Sequence, residues 1–371
     1  MTTPLAGLKV LELARILAGP WAGQVLADLG AEVTKIESPA GDDTRSWGPP
    51  FVANPDGSCD AAYFHACNRG KTSHVVDFTT PEGQARVRAL AADADVLIEN
   101  FKVGGLAKYG LDYASLSALN PRLVYCSITG FGQDGPYATR AGYDYIVQGM
   151  SGMMSLTGEP DGAPQKIGVA MADIATGLYS VIAIQAALAM RERTGRGQHI
   201  DMALLDTMVG VLANQAANYF ATGESPPRVG NAHMNVSPYA VFETADGWFI
   251  LAVGNDGQFG RFCDIVGLSP QLEWATNAGR LAHQSALFAA ITDATRRFAR
   301  DDLLAHLAAA GVPAGPINSV EQALTDPQVM ARGMVLDTAP IRGLRTPIRF
   351  SDADLALGRP APRKGSADAE P

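Results

Sequence analysis

The stretch from Leu8 to Glu37 confines this chain to a narrow set of folds. LKVLEL (residues 8–13) reads as a short buried strand, and Gly19-Pro20 then open a helical segment, PWAGQVLADLG. Pro20 suits a first helical turn and Gly30 a C-terminal cap. AEVTKIE follows as a second strand. Strand, helix and strand in that order form a βαβ unit, whose crossover forces the two strands parallel with the helix packed outside them. The alternation continues through HVVDF, Pro81–Ala94, DVLIEN, Tyr113–Leu119 and RLVYCSITG. The first half is therefore expected to be an open, Rossmann-like α/β domain.

A long apolar helix is expected from Asp173 to Arg193, ended by Thr194-Gly195, then a strand in QHIDMALLD and a further helix through Ala217. GESPPR (223–228) reads as a linker. YAVFETADGWFILAV is a hairpin pattern with Asp246-Gly247 at its turn, followed by helical stretches to Ala309. The expected organisation is a large α/β domain over 1–222, a smaller α+β domain over 223–325, and a return segment to the large domain over 326–358. The Pro-, Ala- and charge-rich tail 359–371 is expected to be disordered.

A net charge of −9 argues against a general nucleic-acid binder, though a few cations in one cleft suffice for a phosphorylated ligand. The apolar runs around Val181–Met190 and Met208–Ala213 are short or interrupted, so no membrane span and no membrane partner are expected. MTTPLAGLKVLEL has neither a basic leader nor a cleavage site, and Cys59, Cys67, Cys126 and Cys263 show no metal-ligand spacing. A cytoplasmic protein with reduced thiols and no metal is the expectation. Nucleotide-fold, phosphate-loop, zinc-protease and serine-hydrolase signatures are missing from the sequence.

One carboxylate stands out. In GVAMADIATG, Asp173 opens the long apolar helix with no Lys or Arg close by in sequence. Aspartate is a common capping residue there. A carboxylate at a helix N-terminus also lies near positive backbone dipoles and suits attack on an activated carbonyl. Gly177, one turn on, removes a side chain from a face that a substrate is expected to approach. Residue type and position leave both readings open.

Seven segments carry a resemblance that separates them: LAGPWAGQVLADLGAEVTKIESPAGDDTR, NRGKTSHVVDF, ENFKVGGLAKYGLDY, NPRLVYCSITGFGQDGPY, AMADIATG, RTGRGQHIDMALLD and GVPAGPINSVEQALTDPQVMARGM. In these and in their order the chain resembles the class III CoA-transferase family, the CaiB/BaiF type, to about residue 350. The resemblance implies an interlocked, ring-like homodimer, with Asp173 as the nucleophile that forms an aspartyl mixed anhydride and then an aspartyl-CoA thioester. It implies no permanently bound cofactor; coenzyme A and acyl-CoA are substrates. The CoA site is expected from Ile16, Leu17 and Ala18, Asn68, Arg69 and Lys71, Asn100, Phe101 and Lys108. Lys71 and Lys108 would face phosphates, with Lys35 and Arg45 sharing that work because Ser38 stands where formyl-CoA transferase has an Arg. Phe101 would pack on the adenine. Leu17 replaces a Gln near the reaction centre of formyl-CoA transferase, which argues against formyl and oxalyl chemistry.

The racemase branch of the family uses a His where this chain has Tyr143, followed by Asp144. An unperturbed Tyr, with a pKa of about 10, is a poor base at neutral pH, so racemization is disfavoured. A CoA-binding homologue without activity is the other alternative, and the presence of Asp173 speaks against it. RVGNAHMNVSPYAVFETADGWFILAVGNDGQF is similar to the branch that moves CoA from succinyl-CoA to dicarboxylates such as glutarate. A second carboxylate needs a cationic partner, for which Arg228 and His233 are the candidates, with Tyr143 and Asp144 beside the substrate.

Overall fold

The computed structural model of the chain describes residues 2–368. Six parallel strands form its main sheet: β1 (Lys9–Glu12), β2 (Glu32–Glu37), β3 (Thr72–Val75), β4 (Val96–Glu99), β5 (Val124–Thr129) and β6 (His199–Ala203). Their spatial order is β3-β2-β1-β4-β5-β6. The chain thus winds outward from β1 to β3, returns to the middle, and winds the other way from β4. The reversal leaves a crevice beyond the carboxyl ends of β1 and β4, where open α/β sheets characteristically hold their ligands.

Both faces of the sheet are covered, which is why the strands read as apolar runs. Val10, Val33, Ile98, Val124 and Cys126 pack on one side with α1 (Ala18–Asp28) and α6 (Met171–Thr194). Leu11, Leu13, Ile36, Leu97 and Tyr125 face the other side, toward α3 (Pro81–Asp93) and α4 (Tyr113–Leu119). The alternation follows from the two-residue period of a strand. Two further helices matter for the site, α2 (Ala62–Cys67) and α5 (Asp144–Met150).

α6 is longer than the sequence suggested. It starts at Met171 and runs to a left-handed Gly195 with Arg191 and Arg193 in its last turn. Its length and composition alone fit a membrane span, contrary to the expectation from the broken apolar runs. Ala172, Thr176, Gly177, Ser180, Val181, Ile184 and Ala187 are nevertheless buried in the unit, giving it the character of a core helix. The approach to α1 is close: a Cβ on Gly177 would lie 2.7 Å from the Ala18 carbonyl oxygen and 3.2 Å from Trp21. Gly177 therefore serves helix packing, not substrate approach as expected.

The chain divides into two compact units. The larger comprises Met1–Met153, Lys166–Thr222 and Pro327–Pro371; the smaller comprises Met154–Gln165 and Gly223–Asp326. Residues 154–165 thus join the smaller unit, held there by Arg228, which donates to the carbonyls of Glu159, Pro160 and Gly162. The smaller unit has an antiparallel sheet of β7 (Tyr239–Glu243), β8 (Trp248–Ala252) and β9 (Ala314–Pro316), with β8 central. Phe242, Phe249, Leu251, Phe259, Phe262 and Trp274 form its core.

The tail departs from expectation. Residues 359–368 lie along the larger unit beside the edge strand β3, and residues 369–371 fall outside the described residues. Pro362 O accepts from Arg45, Gly365 N donates to Ser73 Oγ, and Asp368 accepts from His74, the Val75 amide and Arg86. Composition suggested disorder, but these contacts cover a sheet edge that would otherwise be open. Deletion of residues 359–371 is expected to lower the thermal midpoint by at least about 4 °C in a scanning-calorimetry comparison. Gly177→Ala is expected to cost about 1–3 kcal/mol of stability, by overpacking α6 against α1, and to reduce activity in the same preparation.

Candidate active site

α1 and α6 each precede a strand of one parallel sheet, β2 and β6, so they run in the same direction and begin at the carboxyl ends of the strands. Gly177 meets Ala18 and Trp21, and Asp173 stands one turn before Gly177. Asp173 is therefore level with the Ile16–Leu17 turn that leads into α1. The sequence left open whether Asp173 caps α6; in the structure the cap comes from α5. Asp144 Oδ1 accepts from the amides of Ala172 (2.7 Å) and Asp173 (3.4 Å), and its Oδ2 accepts from Gln148 Nε2 (2.8 Å). Asp144 is thereby occupied within the fold rather than presented to a substrate, while Tyr143 is 57% exposed.

This division of labour leaves the Asp173 carboxylate available. It is partly buried, with no cation or hydrogen-bond donor on its side chain among the described residues. Burial raises it to about 7, and the neighbouring Asp144 charge adds to that rise. Tyr63 of α2 is raised to about 12, first by burial and then by Asp173, Cys67, Asp144 and Asp42, which places these groups around one locus.

The expected CoA residues divide into two groups. Ile16, Leu17 and Ala18 come together with Asn100 and Phe101 at the crevice between β1 and β4. There the Asn100 side chain accepts from Arg15 N (2.9 Å) and donates to Arg15 O (2.7 Å). Lys108 is exposed, its ammonium 4.7 Å from the Tyr109 ring centroid.

Lys35, Arg45, Asn68, Arg69 and Lys71, by contrast, are buried. Lys35 bonds Glu12 (3.0 Å), Asp42 (2.9 Å) and the Ala14 carbonyl (2.8 Å). Lys71 bonds Glu12 (2.8 Å), Pro20 O (2.8 Å) and Asn68 Oδ1 (2.8 Å). Arg45 pairs with Glu37 and Asp60, and Arg69 grips both oxygens of Asp28. Burial opposes the charge on Lys35, but Glu12, Asp42 and Glu37 outweigh it and raise its pKa. The assignment of Lys35, Arg45 and Lys71 to phosphates is thus corrected: a cation removed from water must be matched inside the fold, and these are.

Sequence reasoning missed Arg15 and Lys102. Arg15, paired with Asp43 and lying 5.5 Å from the Phe101 ring centroid, follows the first strand at the winding reversal; that position was the available signal. Lys102 is exposed and directly follows Phe101.

Arg228 and His233 belong to the smaller unit. The Arg228 guanidinium is engaged by three backbone carbonyls. His233 Nδ1 accepts from Asn235 N, and its ring packs 5.3 Å from that of Tyr239. Both are therefore tied to the local structure of that unit. Among the described residues, no group of His, Cys, Asp and Glu is arranged to hold a metal ion.

The larger unit thus sets a helix-borne carboxylate, raised to about 7, beside the ligand crevice of a doubly wound α/β sheet. Comparison with known proteins gives the class. Residues 5–368 match CoA-transferase family III, and the chain belongs to that family. It is 59% identical to the succinate–glutarate CoA-transferase of Agrobacterium fabrum, over 99% of this chain and 94% of that one. It is 42% identical to the succinyl-CoA:glutarate CoA-transferase of Mus musculus, over 98% and 84%. A crystal structure of a CAIB/BAIF family protein from Brucella suis superposes with a TM-score of 0.92 at 63% identity, covering 100% of this chain and 98% of that one. The protein is a CoA-transferase.

The Asp173 carboxyl should govern the pH dependence. For a reaction that needs this carboxylate ionised, kcat/KM for the acyl-CoA is expected to rise with pH and level off above an apparent pKa of about 7. Asp144→Asn removes a charge that raises that value. In a pH–rate series the inflection should move to lower pH, and an unmoved inflection would remove Asp144 from the electrostatics of the Asp173 carboxyl.

Proposed function

We propose that the enzyme moves CoA from succinyl-CoA to a dicarboxylate such as glutarate, with Asp173 as the covalent intermediary. The observation that carries the chemistry is the unpartnered Asp173 carboxylate at the crevice. Its raised pKa makes it more basic, hence more nucleophilic, than an exposed aspartate. The similarity to succinate–glutarate and succinyl-CoA:glutarate CoA-transferases supports the substrate pair.

An Asp173 oxygen attacks the succinyl thioester carbon, the C–S bond breaks, and CoA leaves as thiolate with a succinyl–aspartyl anhydride behind. The thiolate attacks the aspartyl carbonyl carbon, releasing succinate and forming an aspartyl-CoA thioester. A glutarate carboxylate attacks that same carbon, expelling thiolate and forming a glutaryl–aspartyl anhydride. Thiolate attack on the glutaryl carbon yields glutaryl-CoA and restores Asp173. Each attack conserves an activated acyl bond, so the cycle is near energetic balance and needs no nucleotide triphosphate.

In this reading the CoA nucleotide lies along the crevice, with Phe101 against the adenine and Arg15, Lys102 and Lys108 near the phosphates. All three are exposed cations on the segments that follow β1 and β4. The site is completed in a homodimer whose chains interlock. Leu178, Tyr179 and Ile182 on α6 and Tyr145 and Ile146 on α5 are exposed apolar side chains, and they support a partner-covered face. The enzyme is cytoplasmic and carries no resident cofactor.

The test is mass spectrometry of the acyl-CoA pool after incubation in D₂O with succinyl-CoA, a 2-methylacyl-CoA and a panel of mono- and dicarboxylic acids. Glutaryl-CoA is expected from the wild type and should fall below detection with Asp173→Ala. Deuterium at the α-carbon of the 2-methylacyl-CoA without a new acyl-CoA would overturn the proposal in favour of racemization.

A further inference from the structure

The turn that joins β1 to α1 is held in a conformation its own residues disfavour. Ile16 has φ of 72°, a left-handed value that a β-branched side chain rarely adopts. Such a conformation persists only where the surroundings over-determine it. Here they do so from every side. Lys35 Nζ donates to Ala14 O (2.8 Å), Asn100 holds both the amide and the carbonyl of Arg15, and Lys71 Nζ donates to Pro20 O (2.8 Å). Ile16 N donates to Asp42 Oδ1 (3.3 Å), and Ile16 O lies 3.5 Å from Cys67 Sγ.

Of the two groups that reach Ile16 itself, Asp42 is the charged one, and it ties the residue directly to the buried lysine Lys35. It is 3% exposed. Its Oδ1 also accepts from Thr44 N (3.0 Å) and Thr44 Oγ1 (2.7 Å), while Oδ2 pairs with Lys35 at 2.9 Å. Lys35 in turn shares Glu12 with Lys71. The ion cluster therefore grips the turn near its start at Ala14, at its apex through Asp42, and at its end at Pro20. Beyond the apex, α1 begins with no capping side chain and no acidic residue in its first turn. The positive end of the helix is thus left open at the level of Asp173.

We propose that Asp42 is a positioning residue for CoA transfer: through the Ile16 amide it fixes the left-handed turn that sets the first backbone N–H groups of α1 against the reacting acyl group on Asp173. The inference rests on the transfer chemistry proposed above. It adds the reason for the strain: donors for a developing oxyanion are effective only when aimed in advance, and a buried salt bridge is a stiff means of aiming them. A misplacement of about 1 Å in such a group costs on the order of 10²-fold in rate.

The test uses the full chain with succinyl-CoA and glutarate, measuring kcat and KM separately alongside thermal unfolding and a crystal structure of each variant. Asp42→Ala is expected to lower kcat by roughly 10- to 100-fold, with KM for succinyl-CoA changed less than about threefold, and to let residue 16 leave the left-handed region. Glycine takes that region without strain. Ile16→Gly placed on Asp42→Ala should therefore recover at least about fivefold of the lost kcat, a rescue that a purely stabilising role for Asp42 does not predict. A kcat for Asp42→Ala within twofold of wild type, a loss that glycine leaves unrelieved, or an unchanged residue 16 conformation would each overturn the inference. If Asp42→Ala does not fold, Thr44→Val removes one donor from Asp42 Oδ1 without touching the charge, and a folded Thr44→Val with unchanged kcat overturns it equally. The residue 16 geometry is read without any assay. A wild type inactive in transfer would defeat the proposed function, and an active wild type with an indifferent Asp42 would defeat this inference alone.

Discussion

Position at this site depends on the close packing of two helices that run in the same direction. α1 and α6 approach so nearly that Gly177 has no room for a side chain against the Ala18 carbonyl. Because both helices begin at the carboxyl ends of parallel strands, that contact also fixes the relative height of their first turns. Asp173 and the Ile16–Ala18 turn are brought to one level by packing in the apolar layer beneath them. A sheet wound in both directions from its centre adds the open crevice beside that level. The placement of the Asp173 carboxylate and the crevice beside it thus follow from one packing arrangement.

The same region holds a cluster of buried charge in the larger unit. Glu12, Lys35, Lys71 and Asp42 are each almost wholly removed from water, which is costly unless every charge is matched. α1 crosses over them at Gly23, where a Cβ would lie 1.9 Å from Glu12 Oε2. A hydrophobic cluster of similar volume would hold the helix but not specific carbonyls of the β1–α1 turn. The directional bonds to Ala14 O and Pro20 O are what an apolar replacement cannot supply. Conformational definition of the turn, rather than net stability, is the physical role open to such a cluster.

The fold was legible because strands buried on both faces read as apolar runs and glycine and proline punctuate the crossovers. The hairpin at Tyr239–Ala252 was legible for the complementary reason, a clean two-residue alternation on a sheet with one buried face. The site was legible only in part. Asp173 looked like a cap because sequence cannot show that Asp144, 29 residues earlier, supplies the capping oxygen. Lys35, Arg45 and Lys71 looked like phosphate ligands because charge is visible in sequence and burial is not. One signal was present: in the register of β1 and β2, Lys35 falls opposite Glu12, an in-register pair that points to internal neutralisation. The tail misled for the opposite reason. Its composition is that of a disordered segment, yet Asp368 is drawn well down, to about 2, against the pull of burial by bonds to His74, Val75 and Arg86.

Asp173 shows what the arrangement costs the fold. Its carboxyl is raised in the native state to about 7, whereas an unfolded chain ionises it near the ordinary aspartate value of 3.8. Below about pH 4 both states hold the proton and the group is neutral in its effect. Between about 4 and 7 the unfolded state releases its proton while the native state keeps it, so stability falls as pH rises, by on the order of a few kcal/mol once pH exceeds 7. A lysine beside Asp173 would relieve this by lowering the pKa, and would at the same time occupy the free carboxylate by pairing it. Asp144, already committed to the helix amides, instead adds a like charge. The unpartnered carboxylate is therefore a source of instability that the rest of the larger unit must offset.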